Sequence, residues 1–200
     1  MTAVLEADRF FDPDPAVRRV ARELYDETRS LPIVSPHGHV DPAILARNER
    51  FAEPAALIVQ PDHYILRLLY ARGVPLEALG VPRRDRGGGG GGGSAPVETD
   101  ACQVWKLFAD HYYLFRGTPT GAWLDYELHE VFGVRDRLSG ETAARVYDEI
   151  AEKLATPEFL PRALFQRFNI EVLATTDAAS DSLDHHRTIR ESGWKARVIP

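Results

Sequence analysis

The stretch Ile170-Glu171-Val172-Leu173-Ala174-Thr175-Thr176-Asp177 decides the fold class of this chain. Its β-branched and apolar residues predict a strand over Ile170–Thr175, and Thr175-Thr176-Asp177 forms the polar end of that strand. Leu31-Pro32-Ile33-Val34 predicts a second, buried strand, and a third apolar run begins at Arg197. Helical patterns separate the strands, which is typical of parallel βαβ units. The sequence therefore predicts an α/β fold with three visible parallel strands.

Several helices have recognisable start signals. Asp14-Pro15, Asp41-Pro42 and Pro61-Asp62 each join an aspartate to a proline ahead of an apolar pattern with helical spacing. A further helix is expected to begin at Asp181 and to hold His185 and His186. The first helix is expected to bury one apolar stripe, which consists of Val17, Val20, Ala21, Leu24 and Tyr25.

Composition limits the class of partner. The chain has 200 residues, 44% of them hydrophobic, so it is long enough to form a sizeable core. Its net charge of −6 argues against nucleic acid or an anionic membrane as a partner, because both require a basic face. A single cysteine, Cys102, excludes a disulfide framework and a cysteine-based zinc site. No signal peptide or membrane span is recognisable, so the cytoplasm is the expected location.

Gly87–Gly93 is a run of seven consecutive glycines. Such a run cannot pack, and it predicts a flexible, inserted loop over residues 87–94. It carries no phosphate-binding meaning, because no Gly-Lys-Ser or Gly-Lys-Thr follows it.

The sharpest chemical signal is His37-Gly38-His39, in the loop that follows the strand of Ile33 and Val34. Alternate residues at a strand end point the same way, so the two imidazoles can face one ion or one substrate. Neutral imidazole suits zinc and related divalent metals. Barrel enzymes keep their catalytic groups at the carboxyl ends of parallel strands. We therefore expect His37 and His39 to converge on one site.

Three other polar groups have two interpretations each. Asp62-His63-Tyr64 is either a capped helix start or a helix terminus that attracts a carboxylate and offers acid–base side chains. Thr175-Thr176-Asp177 either ends its strand and caps the next helix or delivers polar groups to an active face. His185-His186 are adjacent on a helix and point about 100° apart, which favours a structural role over joint metal binding.

Five segments together resemble the uronate isomerase (glucuronate isomerase) family. Their order and rough spacing match that family, and the resemblance covers nearly the whole chain apart from the glycine tract. The segments are Pro36-His37-Gly38-His39-Val40-Asp41-Pro42, Asp62-His63-Tyr64, Leu114-Phe115-Arg116-Gly117-Thr118-Pro119-Thr120-Gly121, Leu173-Ala174-Thr175-Thr176-Asp177 and Asp181-Ser182-Leu183-Asp184-His185-His186.

The resemblance implies a fold and a reaction. The family is similar to the amidohydrolase superfamily, so residues 1–200 are expected to be the N-terminal portion of a (β/α)8 TIM-like barrel, containing its first strands only. A helix-rich insertion over about residues 41–168 is expected between strands 1 and 2. The implied reaction is the aldose–ketose isomerisation of sugar acids, D-glucuronate to D-fructuronate and D-galacturonate to D-tagaturonate, in sugar-acid catabolism.

The resemblance also implies roles for residues. Tyr64, His37 and His39 are the implied catalytic residues, with Tyr64 near the two histidines, and His63 and Asp177 are the implied substrate-binding residues. His37 and His39 are also the implied ligands of one divalent metal such as zinc, whose necessity for catalysis stays open. The implied partner is a small-molecule sugar acid, and assembly as a homo-oligomer is compatible with the resemblance.

The chain also departs from the family pattern. The family's strand-eight aspartate, a nearby arginine and an Arg-Pro-Asp segment have no counterpart within these 200 residues. Two alternatives therefore stay open. One is a metal-dependent, amidohydrolase-type hydrolase, because His-x-His does not separate the two activities. The other is a truncated, non-catalytic fragment, because family members are much longer.

Overall fold

The computed structural model describes residues 5–82 and 96–200, so the predicted loop at Gly87–Gly93 lies outside the described residues. The chain divides into two compact units. The sheet unit comprises Glu6–Arg50 and Thr156–Pro200, and the helical unit comprises Leu5 and the described residues of Phe51–Ala155.

Helices and strands follow one another in an order typical of mixed α/β proteins. The order is α1 (Pro15–Thr28), β1 (Ile33–Ser35), α2 (Pro42–Arg47), α3 (His63–Ala71), α4 (Ala101–Asp110), α5 (Pro119–Tyr126), α6 (Ala143–Leu154), α7 (Pro161–Arg167), β2 (Ile170–Ala174), α8 (Asp184–Glu191) and β3 (Arg197–Ile199). Short π-helical turns lie at Ala55–Val59 and Glu127–Val131, and short 3-10 turns at Leu76–Leu79, Tyr112–Phe115 and Pro157–Phe159.

The three strands form one parallel sheet in the order β1-β2-β3. Val34 of β1 lies opposite Val172 of β2, and Val172 in turn lies opposite Arg197 of β3. The prediction of three parallel strands separated by helices is therefore confirmed.

Aspartates begin three of the helices, as the sequence predicts. The side chain of Asp14 accepts hydrogen bonds from the amides of Ala16 and Val17, and that of Asp41 accepts one from Ala43. The side chain of Asp62 does the same for the first turn of α3. Each carboxylate satisfies backbone donors that have no partner inside the helix, which fixes where the helix starts.

The core of the sheet unit lies between β2 and three of its helices. Leu45 of α2, Phe165 of α7, Leu173 of β2 and Ile189 of α8 form one buried cluster. Trp194 packs edge to face on Phe165, with ring centroids 5.0 Å apart. This cluster anchors β2 to α2, α7 and α8 next to the candidate site.

The burial predicted for α1 and β1 is wrong. No residue of α1 is buried, and in β1 the residues Ile33 and Val34 are 49% and 59% exposed. The contacts of α1 with the preceding segment include ion pairs and an aromatic contact. Arg22 donates to the Asp8 carboxylate, Arg18 lies 3.8 Å from it, and Tyr25 meets Phe11 edge to face. Helical and strand periodicity identifies an apolar face, but it does not say whether another surface covers that face.

The start predicted for α8 is also wrong. The helix begins at Asp184 and not at Asp181, because Leu183 adopts a left-handed backbone conformation with φ 55°. The Asp181 carboxylate instead accepts a hydrogen bond of 2.7 Å from the amide of Ala178 and closes a separate turn. Asp181 therefore does bond to a backbone amide, as a capping aspartate would, but in a turn that precedes the helix.

The helical unit has an aromatic core of its own. Trp105 and Phe108 of α4 are fully buried, and the indole of Trp105 donates a hydrogen bond of 2.9 Å to the carbonyl of Ala143 at the start of α6. Phe108 also packs edge to face on Phe115. No helix within residues 5–82 and 96–200 is long and apolar enough to cross a membrane.

Candidate active site

The loop that follows β1 brings two imidazoles together. The Nε2 atoms of His37 and His39 lie 3.0 Å apart, and the rings meet edge to face with their centroids 4.8 Å apart. Both side chains are exposed. The two imidazoles thus converge, as their alternating positions predict. Their roles as catalytic groups and metal ligands stay predictions.

Contacts with the end of β2 and with the end of β1 hold this loop in place. The hydroxyl of Thr176 donates a hydrogen bond of 2.8 Å to the carbonyl of Gly38. The hydroxyl of Ser35 donates one of 3.2 Å to the carbonyl of His37. A Cβ atom on Gly38 would lie only 3.0 Å from the carbonyl oxygen of Ala174. Glycine at this position therefore lets the histidine loop pass close over the end of β2.

The imidazole pair fits part of a metal site. A zinc ion at the usual distance of about 2.0–2.1 Å from nitrogen would reach both ring nitrogens, because these lie close together. Within the described ranges, no group of three or more histidine, cysteine, aspartate or glutamate residues is placed to hold a metal. The described residues therefore supply suitable donors for a divalent cation, namely His37 and His39, but only these two.

A second polar cluster forms where β2 ends. The hydroxyl of Thr175 donates to Oδ2 of Asp177. Nε2 of His186, on α8, lies 3.2 Å from the same oxygen and 3.1 Å from the Thr175 hydroxyl. The side chains of His186 and Asp177 are only 9% and 11% exposed. Three polar side chains from a strand end and the following helix are therefore packed into one cluster with little side-chain exposure.

Hydrogen bonding determines the charge and the tautomer in this cluster. The bond from the Thr175 hydroxyl holds the pKa of Asp177 below its usual range, with a smaller effect from His186 in the same direction and burial opposing both. Because a carboxylate only accepts, we assign the proton of His186 to Nε2. Nδ1 of His186 is buried and has no hydrogen-bond partner among the described residues. Asp177 is therefore an ionised acceptor held by two donors.

An open cavity of about 480 Å³ lies beside both features. His39 and Asp177, two site residues predicted from the sequence, line this cavity. His186 and three further aspartates, Asp41, Asp181 and Asp184, also line it. The sheet unit thus gathers imidazole and carboxylate groups around one solvent-accessible space at the carboxyl ends of its strands.

His63 and Tyr64 lie in the helical unit. They open α3 directly after Asp62, and their rings stack obliquely with centroids 4.2 Å apart. Both are exposed, and the ring of Tyr64 meets that of Trp123 edge to face at 6.4 Å. An imidazole and a phenol are therefore presented to solvent on a capped helix start, and their roles toward substrate stay predictions.

The same surface holds two residues that the sequence analysis did not select. The indole of Trp123 donates a hydrogen bond of 2.7 Å to the Glu127 carboxylate. Burial raises the pKa of Glu127, the bond from Trp123 opposes that rise, and the charge of Asp62 adds to it. Trp123 and Glu127 are four residues apart on a helical segment, and side chains at this spacing are neighbours. The sequence could therefore have indicated this contact.

His186 lies beside the candidate site, although the sequence analysis assigned it only a structural role. The histidine pair was predicted to be structural, and its members do diverge, since His185 is exposed whereas His186 is nearly buried against Asp177. Adjacent residues on a helix point about 100° apart, so of two consecutive histidines one is expected to turn toward the sheet. That reasoning could have brought His186 into the site.

Comparisons with known proteins agree on one family. The glucuronate isomerase family model matches residues 16–200. The chain is 55% identical over 192 residues to the uronate isomerase of Nostoc punctiforme, covering 96% of this chain and 39% of that protein. It is 51% identical over 199 residues to the uronate isomerase of Mesorhizobium japonicum, covering 100% of this chain and 41% of that protein.

Solved structures give the same result. The crystal structure of glucuronate isomerase from Caulobacter crescentus matches with a TM-score of 0.91 and 46% identity, over 100% of this chain and 40% of that one. The uronate isomerase of Thermotoga maritima matches with a TM-score of 0.77 and 28% identity, over 91% of this chain and 36% of that one. The chain spans about two fifths of the length of these relatives. On the family model, the sequence identities and the shared structure, the chain belongs to the glucuronate isomerase family.

Proposed function

We propose that this chain contributes the N-terminal part of an aldose–ketose isomerase that acts on sugar acids. The proposed reactions interconvert D-glucuronate with D-fructuronate and D-galacturonate with D-tagaturonate. The observation that carries the proposal is the convergence of His37 and His39 at the end of β1, beside a cavity that Asp177 also lines. That arrangement occurs in a member of the glucuronate isomerase family.

We further propose that the sheet unit holds the first strands of a (β/α)8 barrel. The parallel order β1-β2-β3, with α8 between β2 and β3, supports this architecture. The helix-rich segment of about residues 41–168 would then be an insertion between the first two strands, with a loop at 87–94 inside it. A cytoplasmic location and self-assembly into a homo-oligomer remain predictions.

The chemistry of isomerisation fits the imidazole pair. The reaction moves a proton between adjacent carbons through an enediol(ate) and also moves a proton between the two oxygens. At an Nε2–Nε2 distance of 3.0 Å, one of His37 and His39 donates to the other. The pair is therefore suited to pass a proton between the two substrate oxygens. A divalent cation bound by the same two nitrogens would replace this hydrogen bond, and would supply Lewis-acid polarisation of those oxygens in place of proton transfer through the pair.

The remaining predicted residues receive separate roles. The hydroxyl of Tyr64 is the proposed group for proton transfer at carbon, and His63 at the start of α3 is proposed to help bind the substrate. Asp177 is proposed to accept a hydrogen bond from the substrate. Each assignment follows the family resemblance and the type of side chain.

The test compares two proteins in an isomerase assay. One is the 200-residue chain, and the other joins this chain to the remaining part of the Nostoc punctiforme relative. Conversion of D-glucuronate is followed by NMR in D2O, which also reports exchange of the transferred hydrogen. We expect turnover by the extended protein only, because the strand-eight aspartate and its nearby arginine have no counterpart within residues 1–200.

Variants of the extended protein test the roles of individual residues. Tyr64→Phe should lower kcat about 100-fold or more, the typical contribution of a proton-transfer group. Tyr70→Phe, an exposed tyrosine on the same helix, is the matched control and should leave kcat unchanged. Hydrolysis of esters or lactones without isomerisation would replace the proposal with the hydrolase alternative. Equal turnover by both proteins would show that the active site is complete within this chain.

A further inference from the structure

We propose that Thr175 and His186 position Asp177 so that its oxygen Oδ1 accepts a hydrogen bond from a hydroxyl group of the sugar acid. The cavity beside Asp177 would then hold the hydroxyl-bearing part of the substrate and not its carboxylate. Thr175 and His186 are positioning residues that act through Asp177. The inference rests on the proposed function and deepens it by naming the part of the substrate that this cavity binds.

Both donors reach the same oxygen of Asp177. The Thr175 hydroxyl and Nε2 of His186 both contact Oδ2. No hydrogen bond from the described residues reaches Oδ1, although Asp177 lines the cavity. An ionised carboxylate offers about four acceptor sites, so the second oxygen retains its full capacity to accept. Oδ2 of Asp177 therefore has a structural role, whereas Oδ1 is available to a ligand.

Two secondary-structure elements fix the orientation of the carboxylate. Thr175 is 7% exposed, and its amide donates a hydrogen bond of 2.9 Å to the carbonyl of Ile199 in β3. His186 stands on α8, which is anchored in the core by Ile189. Holding an acceptor in its binding orientation before the ligand arrives reduces the entropy lost on binding.

The other three aspartates of the cavity already have local structural roles. Asp41 caps α2, Asp181 closes the turn at Ala178, and Asp184 forms an ion pair with Arg187 at 2.9 Å. Asp184 also accepts hydrogen bonds from two side chains, those of Ser182 and Arg187, but it is 63% exposed, whereas the side chain of Asp177 is 11% exposed. The two bonds to Asp177 neither end a helix nor close a turn, unlike those of Asp41 and Asp181. Asp177 is therefore the aspartate of this cavity best suited to receive a ligand.

The charge of the cavity selects which end of the substrate enters. Four aspartates and three histidines line it, whereas no lysine or arginine does. Beside Asp177 a uronate carboxylate would meet a like charge, whereas a hydroxyl group is a donor from which a carboxylate accepts a strong hydrogen bond. The hydroxyl chain of the sugar acid is therefore the part that fits this space.

The experiment measures binding of D-glucuronate to the extended protein by calorimetry, together with kcat. Asp177→Asn, Thr175→Val and His186→Leu should each raise Kd, and for Asp177→Asn the expected rise is about ten-fold or more. Thr188→Val, an exposed threonine of α8, is the control and should leave Kd unchanged. His186→Gln retains a donor and should restore most of the affinity lost in His186→Leu. It also guards against mistaking a folding defect for loss of binding.

A double-mutant cycle separates positioning from a merely structural role. In the Asp177→Asn background, His186→Leu should raise Kd no further, because both substitutions remove the same interaction. A deoxy analogue that lacks the bound hydroxyl should bind the unsubstituted protein and Asp177→Asn equally well. Additive effects, an unchanged Kd in Asp177→Asn, or no binding by the unsubstituted protein would each overturn the inference. Binding without turnover would instead contradict the proposed isomerase function.

Discussion

Replacing Arg162 with alanine should destabilise the sheet unit through the helix that follows the histidine loop. The Arg162 side chain donates to the carbonyl of Leu45 at 2.8 Å and to that of Ala46 at 3.2 Å, at the end of α2. Its guanidinium carbon also lies 5.0 Å from the ring centroid of Trp194. The last carbonyls of a helix have no partners within it, so Arg162 satisfies groups that would otherwise bond only to water.

The size of the effect follows from these contacts. A hydrogen bond that involves a charged group contributes about 1.5–3 kcal/mol when buried, and we take about 1 kcal/mol each because Arg162 is half-buried. The cation–π contact adds about 0.5–1 kcal/mol. The expected loss for Arg162→Ala is therefore about 2.5–3 kcal/mol, or about 5–12 °C in Tm for a chain of this size. Arg162→Lys should recover less than half of the stability lost in Arg162→Ala, because an ammonium lacks the planar fork that reaches both carbonyls.

Thermal unfolding monitored by circular dichroism gives the global effect, and hydrogen exchange of the α2 amides gives the local one. Arg190→Ala is the matched control, because Arg190 is exposed on α8 and should change stability by less than about 0.5 kcal/mol. Exchange at the amide of Asn48, which bonds to the carbonyl of Ile44, should become faster in Arg162→Ala. Equal stability of the two variants, or unchanged α2 protection, would refute the reasoning.

Three further predictions concern metal binding, the glycine tract and pH. His37→Ala and His39→Ala should each weaken zinc binding at least ten-fold in a chelator-competition assay, and unchanged affinity in both would contradict a shared site. Deleting four glycines from Gly87–Gly93 should shift Tm by less than about 2 °C, because such a run neither packs nor forms a stable helix. The hydrogen bond from Thr175 lowers the pKa of Asp177 in the folded state. The stability that this bond contributes is therefore present above about pH 3.9, the pKa of an unperturbed aspartate, and is lost as the pH falls through the lower folded-state pKa. The difference in stability between Thr175→Val and the unsubstituted chain should therefore narrow in acid, and a pH-independent difference would rule out this linkage.

Features of the fold that depend on neighbouring residues were predictable from the sequence. Asp14, Asp41 and Asp62 all cap helices, because a cap needs only a carboxylate within three residues of free amides. The strand at Ile170–Ala174 and its parallel pairing with β1 followed from β-branched residues separated by helices. The convergence of His37 and His39 followed from their alternation at a strand end.

Features that depend on distant residues were not predictable. The apolar stripe of α1 is correctly placed on one helical face, yet Val17, Val20 and Leu24 are between 46% and 65% exposed. Whether this stripe is buried depends on which other part of the protein packs against it, and hydrophobic periodicity does not indicate that. The contact of His186 with Asp177 likewise depends on the rotation of α8, which the left-handed residue Leu183 sets just before the helix begins.

The polar end of β2 shows how one short segment can support two chemical features at once. Thr175, Thr176 and Asp177 follow directly after Ala174, the last residue of β2, and their side chains make contacts on two sides. Accordingly, Thr175 bonds to Asp177 beside the cavity, whereas Thr176 reaches across to the carbonyl of Gly38 and holds the histidine loop. A single strand end therefore fixes both the imidazole pair and the carboxylate relative to the same backbone. Precise placement of these groups in the sheet unit thus depends on β2, which is largely buried, more than on the exposed strand β1.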